Sequence, residues 1–251
     1  MKKPRLFLLL ICLLLMLLGE VHAEDANHSP SADIESQYKT GLKYHLGLFT
    51  KKDNVEAFKW FLMAAQSGHA IAQNYVGFFY AQGLAGTRDA TEAHKWYRLS
   101  AEQGYHKAQY NLGKNYSIGS GVPQSDTEAI KWYRLSAAQG LDVAQYNLGL
   151  CYYEGKGVAK DDNEAFNWVK FAAEQGFGEA QNALGIFYEP GIGVSIDLKE
   201  AYKWYFLACT KCSETDLYEF SKMKISVMKK LSETQINQAE QEAKAILNKK
   251  K

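Results

Sequence analysis

The chain has little proline, four residues in 251, and no large excess of charge of either sign, its formal net charge being +1. With 47% hydrophobic and 23% charged residues, so few prolines exclude collagen-like and disordered compositions and leave enough apolar side chain for a core. A near-zero net charge provides neither a polybasic face nor an acidic tail, so nucleic acid is not an expected partner. Long hydrophobic runs are also missing. The one sizeable run, Leu6 to Leu18, is 13 residues, against the roughly 20 that a membrane-crossing helix requires.

That run has the flanks of a secretory signal. Lys2, Lys3 and Arg5 precede it, and Val21-His22-Ala23 follows as a small-x-small cleavage site, predicting a signal peptide at 1–23 and a mature chain starting at Glu24. Retention of the run as an uncleaved anchor is the alternative. Cys12 lacks the small residues of a lipoprotein site. Residues 24–33 carry no apolar periodicity and are predicted to be a flexible leader, with folding expected from Ile34. The expectation is an exported protein, periplasmic or secreted, with no stable membrane insertion after cleavage.

All five tryptophans stand 36 residues apart, at Trp60, Trp96, Trp132, Trp168 and Trp204. Glu56-Ala57, Gly68, Ala72-Gln73 and Gly77 recur in the same register, so the chain is an internal repeat without insertions. Each unit predicts two helices. The second opens with Asp53-x-x-Glu56, Asp89-x-x-Glu92, Ser125-x-x-Glu128, Asp161-x-x-Glu164 or Asp197-x-x-Glu200, a capping-box pattern. Ala93, Trp96, Tyr97 and Ala101 then follow one helical face as far as Gly104, a glycine placed where a left-handed residue ends the helix. The first helix carries Ala108, Leu112 and Tyr116 on one face, with Gly113 allowing close approach of its partner. The loop Gly119-x-Gly121-Val122 returns at Gly155 and Gly191 but is altered at Gly83 and nearly lost at Gly47. Two short helices cannot bury an indole, so each Trp is expected to be covered by the neighbouring unit.

The string from Ala144-Gln145-Tyr146-Asn147-Leu148-Gly149 through Tyr152, Gly155-x-Gly157-Val158, Ala165 and Trp168 to Gln175-Gly176 resembles the Sel1-like repeat, a relative of the tetratricopeptide repeat. The resemblance implies an all-α fold, a right-handed α-solenoid of antiparallel helix pairs with a concave side that binds other proteins. Five repeats are expected at about 34–69, 70–105, 106–141, 142–177 and 178–213. Residues 214–251 read as C-terminal capping helices and tail, with a further capping box at Ser232-x-x-Gln235.

Exported proteins with this pattern are sometimes described as penicillin-binding or β-lactamase-like. Ser36-x-x-Lys39, Ser221-x-x-Lys224 and Ser226-x-x-Lys229 match one element of that chemistry, and Lys39-Thr40-Gly41 matches another. Lys39 would have to serve both elements within one helical turn, so the match lacks its structural context. Beyond the signal the cysteines are Cys151, Cys209 and Cys212. Cys209-x-x-Cys212 is a candidate structural disulfide bracing the last repeat. Thiol-redox work is the alternative, although the pair sits at a helix C-terminus, away from the dipole end that lowers a thiol pKa. The histidines fall in different repeat columns and form no metal spacing.

No catalytic residue, metal or cofactor is therefore expected. The columns of the first helix not used by the Ala108, Leu112 and Tyr116 face are expected to line the concave surface. They present Tyr75, Phe78 and Phe79, then Asn111, Lys114, Asn115 and Ile118, then Asn147, Leu150 and Cys151, and then Ala183, Ile186 and Phe187. Asn amides can hold an extended backbone and aromatic rings can anchor a side chain. The resulting expectation is a non-enzymatic scaffold binding a protein or peptide, with a cell-envelope partner or a host factor as candidates. A peptidoglycan- or β-lactam-binding protein and a thiol-redox protein stand as the alternatives.

Overall fold

The computed structural model describes residues 33–210 and 214–249. The predicted export signal, the leader up to residue 32, and Cys212 lie outside the described residues. Among them are twelve helices and no strand, forming an all-α repeat fold that divides into two compact units at Asp89–Ala90. The first unit holds α1 (Ile34–Leu46), α2 (Asn54–Gln66) and α3 (Ala70–Gln82). The second opens with α4 (Ala90–Glu102), α5 (His106–Ile118), α6 (Asp126–Ala138) and α7 (Asp142–Glu154). It continues with α8 (Asp162–Gln175), α9 (Gly178–Tyr188), α10 (Leu198–Ala208), α11 (Glu214–Met228) and α12 (Glu233–Lys249).

The caps form as their residue types dictate. Asp53 Oδ1 accepts from the amides of Val55 and Glu56 at 2.9 and 3.0 Å, and Asp161 accepts from Asn163 and Glu164 at 3.0 Å each. Ser125 and Asp197 cap α6 and α10 through the amides of Glu128 and Glu200. The glutamates point along the helix. Glu56, Glu92, Glu128 and Glu200 hold the lysine three residues on, and Glu164 accepts from Trp168 Nε1 at 3.0 Å. The reciprocal bond of a full capping box is made at α12, where Ser232 N–H donates to Gln235 Oε1 at 3.0 Å.

Two glycine columns set how closely helices meet. On Gly113 an added Cβ would lie 2.8 Å from Tyr133 Cδ1, and on Gly185 it would lie 2.7 Å from Tyr205 Cδ1, so the ring of each second helix rests on the bare backbone of the first. The second loop glycine, Gly157, has φ +69° and abuts the carbonyl of Asp126, 31 residues earlier, where a Cβ would overlap the oxygen. Gly121 and Gly193 meet Ala90 and Asp162 in the same way. The corresponding residue of the first repeat is Phe49, exposed at φ +59°, and the loop there has diverged accordingly.

In the first unit α2 packs on both α1 and α3. Its core joins Ala57, Phe61, Ala64, Val76 and Phe79. In the second unit each helix packs on the next from α4 through α11, around Tyr97, Leu112, Tyr133, Leu148, Val169, Leu184 and Tyr205. Trp204 alone of the five tryptophans is buried, whereas Trp60, Trp96, Trp132 and Trp168 are half-buried at the edge of their helices. The expected covering of every indole thus fails. The column that fills the core is the next residue, Phe61, Tyr97, Tyr133, Val169 or Tyr205.

Buried glutamines link the helices. Nε2 of Gln73, Gln109, Gln145 and Gln181 donates to the carbonyl of Ala65, Ala101, Ala137 and Ala173 at 3.1 to 3.3 Å, satisfying a helix C-terminal acceptor of the preceding repeat. Gln139 and Gln175 in turn donate to Oε1 of Gln109 and Gln145 at 2.8 and 2.7 Å. At the C-terminal end α11 buries Phe220 and Val227, and α12 packs directly on α10.

Candidate functional site

In the first unit the expected surface column lies on α3. Tyr75 is half-buried, its ring stacked on Phe61 with centroids 4.6 Å apart, and burial raises its hydroxyl pKa. Phe78 is exposed, but Phe79 is a core residue, with its ring centroid 5.6 Å from Phe61 and 5.2 Å from His45. The cavity beside it, lined by Phe58, Phe79, Tyr80, Ala85, Gly86 and Thr87, measures about 90 Å³. That volume is well below the 300 Å³ or so at which small-molecule pockets begin.

In the second unit Lys114 and Ile118 on α5 are exposed, Asn111 is half-buried, and Asn115 is buried with its Nδ2 lacking a hydrogen-bond partner. On α7 Asn147 and Leu150 are half-buried, and Asn147 Nδ2 donates to the carbonyl of Val143 at 2.7 Å. The donor half of that amide is therefore occupied by its own helix. Ile186 on α9 is exposed, whereas Phe187 is buried against Tyr153, with ring centroids 5.3 Å apart. Contrary to the expectation, Phe79, Ala183 and Phe187 are core side chains, and Asn115 shares the column of Phe79 and Phe187. The column of Phe79, Asn115, Cys151 and Phe187 is an inward one. Asn and Cys at two of its four positions hide the apolar periodicity that would have revealed this.

The groups that suggested chemistry have other occupations. Lys39 pairs with Glu35 at 3.6 Å on α1, and Thr40 donates its hydroxyl hydrogen to the carbonyl of Ser36 at 2.9 Å. A Cβ on Gly41 would strike Phe61 at 2.6 Å, so the Lys39-Thr40-Gly41 stretch is helix packed on helix. Lys224 lies over the Phe206 ring, 5.6 Å from its centroid. The Cys151 thiol is half-buried and is pushed up to about 11, first by burial and then by the carboxylates of Asp126 and Glu154. Cys209 is half-buried, with Sγ 3.8 Å from Ser221 Oγ, and its candidate partner Cys212 is outside the described residues. Among the described residues no group of three His, Cys, Asp or Glu could hold a metal ion, and no helix is long and apolar enough to cross a membrane.

One surface column was missed. Three residues after the tryptophan, Leu99, Leu135 and Phe171 are exposed on α4, α6 and α8 of the second unit. Their common 36-residue spacing is visible in the sequence, but an interior tryptophan column gives no reason to expect an exposed one three residues on.

Helix pairs in a 36-residue register, joined by tight glycine loops, define a helical repeat protein of the tetratricopeptide-like class. Within that class the chain belongs to the Sel1 repeat family, whose model matches residues 34–69, 70–105, 106–141, 142–177 and 178–211. It is similar to the crystal structure of a Sel1 repeat protein from Oxalobacter formigenes, at 35% identity and TM-score 0.68 over 74% of this chain and 77% of that one. It is also similar to a protective antigen present in uropathogenic Escherichia coli strains that displays the same fold, at 32% identity and TM-score 0.57. That match covers 87% of this chain and 54% of the antigen, so the chain spans about half the antigen's length. No curated protein matches the sequence. Sel1 repeat proteins generally act as protein-interaction scaffolds, and the fold is typically non-catalytic.

Proposed function

We propose that this chain is an exported scaffold that binds an extended protein segment on the exposed side of its first helices. The carrying observation is the pairing of exposed aliphatic and cationic side chains on that side, Lys114 and Ile118 on α5 and Ile186 on α9, with half-buried Asn111, Asn147 and Leu150 beside them. Aliphatic anchors spread over successive first helices, with a cation among them, suit an extended segment better than a compact metabolite. Export rests on the Lys2 to Ala23 pattern, and the description of a 32%-identical relative as a protective antigen supports it.

The reading is tested with a displayed peptide library panned against residues 24–251. Selected peptides are then titrated into the Lys114→Ala, Ile118→Ala, Leu150→Ala variant after circular dichroism confirms its helix content. Removing three contacts of a small interface is expected to weaken binding at least about tenfold. Undiminished binding by the variant would place the site elsewhere. Export is tested separately by the N-terminal mass of the mature chain, expected to begin at Glu24.

A further inference from the structure

The second helices of the second unit carry the sequence Lys-Trp-x-x-Leu three times, at Lys95 to Leu99, Lys131 to Leu135 and Lys203 to Leu207. The third copy is covered by the chain itself. Helix α12 lies on it, so that Trp204 and Leu207 share a buried cluster with Ala243, and Ile246 and Leu247 pack against that cluster. Glu242 of α12 reaches Lys203 at 3.4 Å and Lys199 at 2.8 Å, while Lys203 also holds Glu200 on its own helix and sits 5.7 Å from the Trp204 ring centroid. Next to this seat a cleft of about 630 Å³, lined by Lys170 and Glu174 of α8 and by Lys203 and Trp204 of α10, has Ile246 at its edge. Ile246 thus lines the space between consecutive second helices while its own helix covers Trp204 and Leu207.

The other two copies bear the same side chains without that cover. Leu207 is 0% exposed, whereas Leu99 is 46%, Leu135 49% and, in the intervening repeat, Phe171 50%. Lys95 and Lys131 hold Glu92 and Glu128 as Lys203 holds Glu200, and both are more than half exposed. We propose that α4 and α6 form a docking site for an amphipathic helix of a protein partner. That helix has a seam of alanine and isoleucine spaced as in Ala239, Ala243 and Ile246, with a carboxylate at its edge as in Glu242. The occupant is a helix because the chain's own solution to this surface is one, and the carboxylate answers the lysine beside each tryptophan. Helix-in-groove recognition needs just such spaced apolar anchors. A second copy's α12 is disfavoured as occupant. It is joined to its own α10 through α11, and this tether gives its own seat the advantage of high effective concentration.

This face is separate from the first-helix side invoked for extended segments, and the two are tested independently. The probe is a fluorescein-labelled synthetic peptide of residues 233–249, titrated into residues 24–251 and followed by anisotropy. Saturable binding is expected, weakened at least about tenfold by Leu99→Ser with Leu135→Ser, and unchanged by Lys114→Ala with Ile118→Ala. A peptide carrying Glu242→Lys is expected to bind more weakly and to recover on the Lys95→Glu, Lys131→Glu chain. Absence of saturable binding overturns the proposal. So does binding that survives both serine substitutions, since the peptide would then be exchanging with α12 on α10 or sitting elsewhere. Sedimentation supplies the last arm: a dimer abolished by Leu135→Ser would show a second copy covering the face and would overturn the assignment to a partner.

Discussion

Alanine at Gly157 is expected to destabilise the second unit more than alanine at Gly140, although both glycines have left-handed backbones, at φ +69° and +86°. The shared penalty is that of placing a Cβ residue in the left-handed region, about 1–2 kcal/mol. At Gly140 nothing lies within 4 Å of the added carbon, so the cost stops there. At Gly157 the carbon would lie 2.5 Å from the carbonyl carbon and 2.9 Å from the amide of the Asp126–Thr127 peptide, and would overlap the carbonyl oxygen. These are backbone atoms with no rotamer to adjust, so the loop must lift away from the start of α6. Overpacking of this kind adds about 1–3 kcal/mol. In a unit of this size each kcal/mol corresponds to a fall in melting temperature of about 2–4 °C. Thermal melts followed at 222 nm on the wild type, Gly140→Ala, Gly157→Ala and Gly193→Ala would therefore rank Gly193→Ala with Gly157→Ala, both below Gly140→Ala. Equal melting temperatures for all three variants would show that the loop does not seat on the preceding helix and that Gly157 does not set the repeat spacing.

Phe79→Ala is expected to cost about 3–5 kcal/mol by urea denaturation, as for a fully buried ring, and Phe78→Ala much less; similar losses would contradict the inward placement of Phe79. His94 is buried against Tyr116 with its pKa lowered, chiefly by burial and then by Arg98. The unfolded chain thus binds its proton more readily, so stability is complete above the ordinary imidazole range near 6.5 and declines as pH falls through it. Urea midpoints at pH 7.5 and 5.5 should accordingly differ less in His94→Phe than in the wild type, and parallel declines would refute the assignment. Cys151, whose thiol is raised to about 11, is expected to alkylate far more slowly at pH 8 in the native chain than in urea, as read by peptide mass spectrometry. Equal rates would mean that its burial is wrongly placed.

The register of the fold was legible because a single period governs caps, glycines and aromatic columns together, and each obeys a local rule. Asp161 caps α8 and Gly176 ends it in a left-handed conformation for reasons contained within a few residues. What escaped was anything decided by the neighbouring helix. Trp132 looked like core because indole is large and recurs, yet the adjacent Tyr133 fills the space above Gly113 and leaves the indole at the edge. Asn115 conceals an inward column, and the sequence alone therefore points Phe79 and Phe187 to a binding face. The placement of α12 on α10 had no signal in the repeat pattern, since it breaks that pattern. Only its capping box and its spaced alanines announced a helix.

The glutamine chain has a consequence for how the second unit comes apart. Gln175 leans on Gln145, which closes the carbonyl of Ala137, and Gln139 leans on Gln109, which closes that of Ala101. Melting any one helix pair would strand an acceptor in the pair before it, in a setting where water cannot take the donor's place without entering the core. Neighbouring repeats are therefore coupled by a penalty at each boundary between ordered and melted chain, in the manner of a one-dimensional lattice with strong nearest-neighbour terms. Such a lattice does not fray pair by pair from its ends. Amide exchange in α5 through α9 should then proceed with a common opening free energy, as one cooperative block.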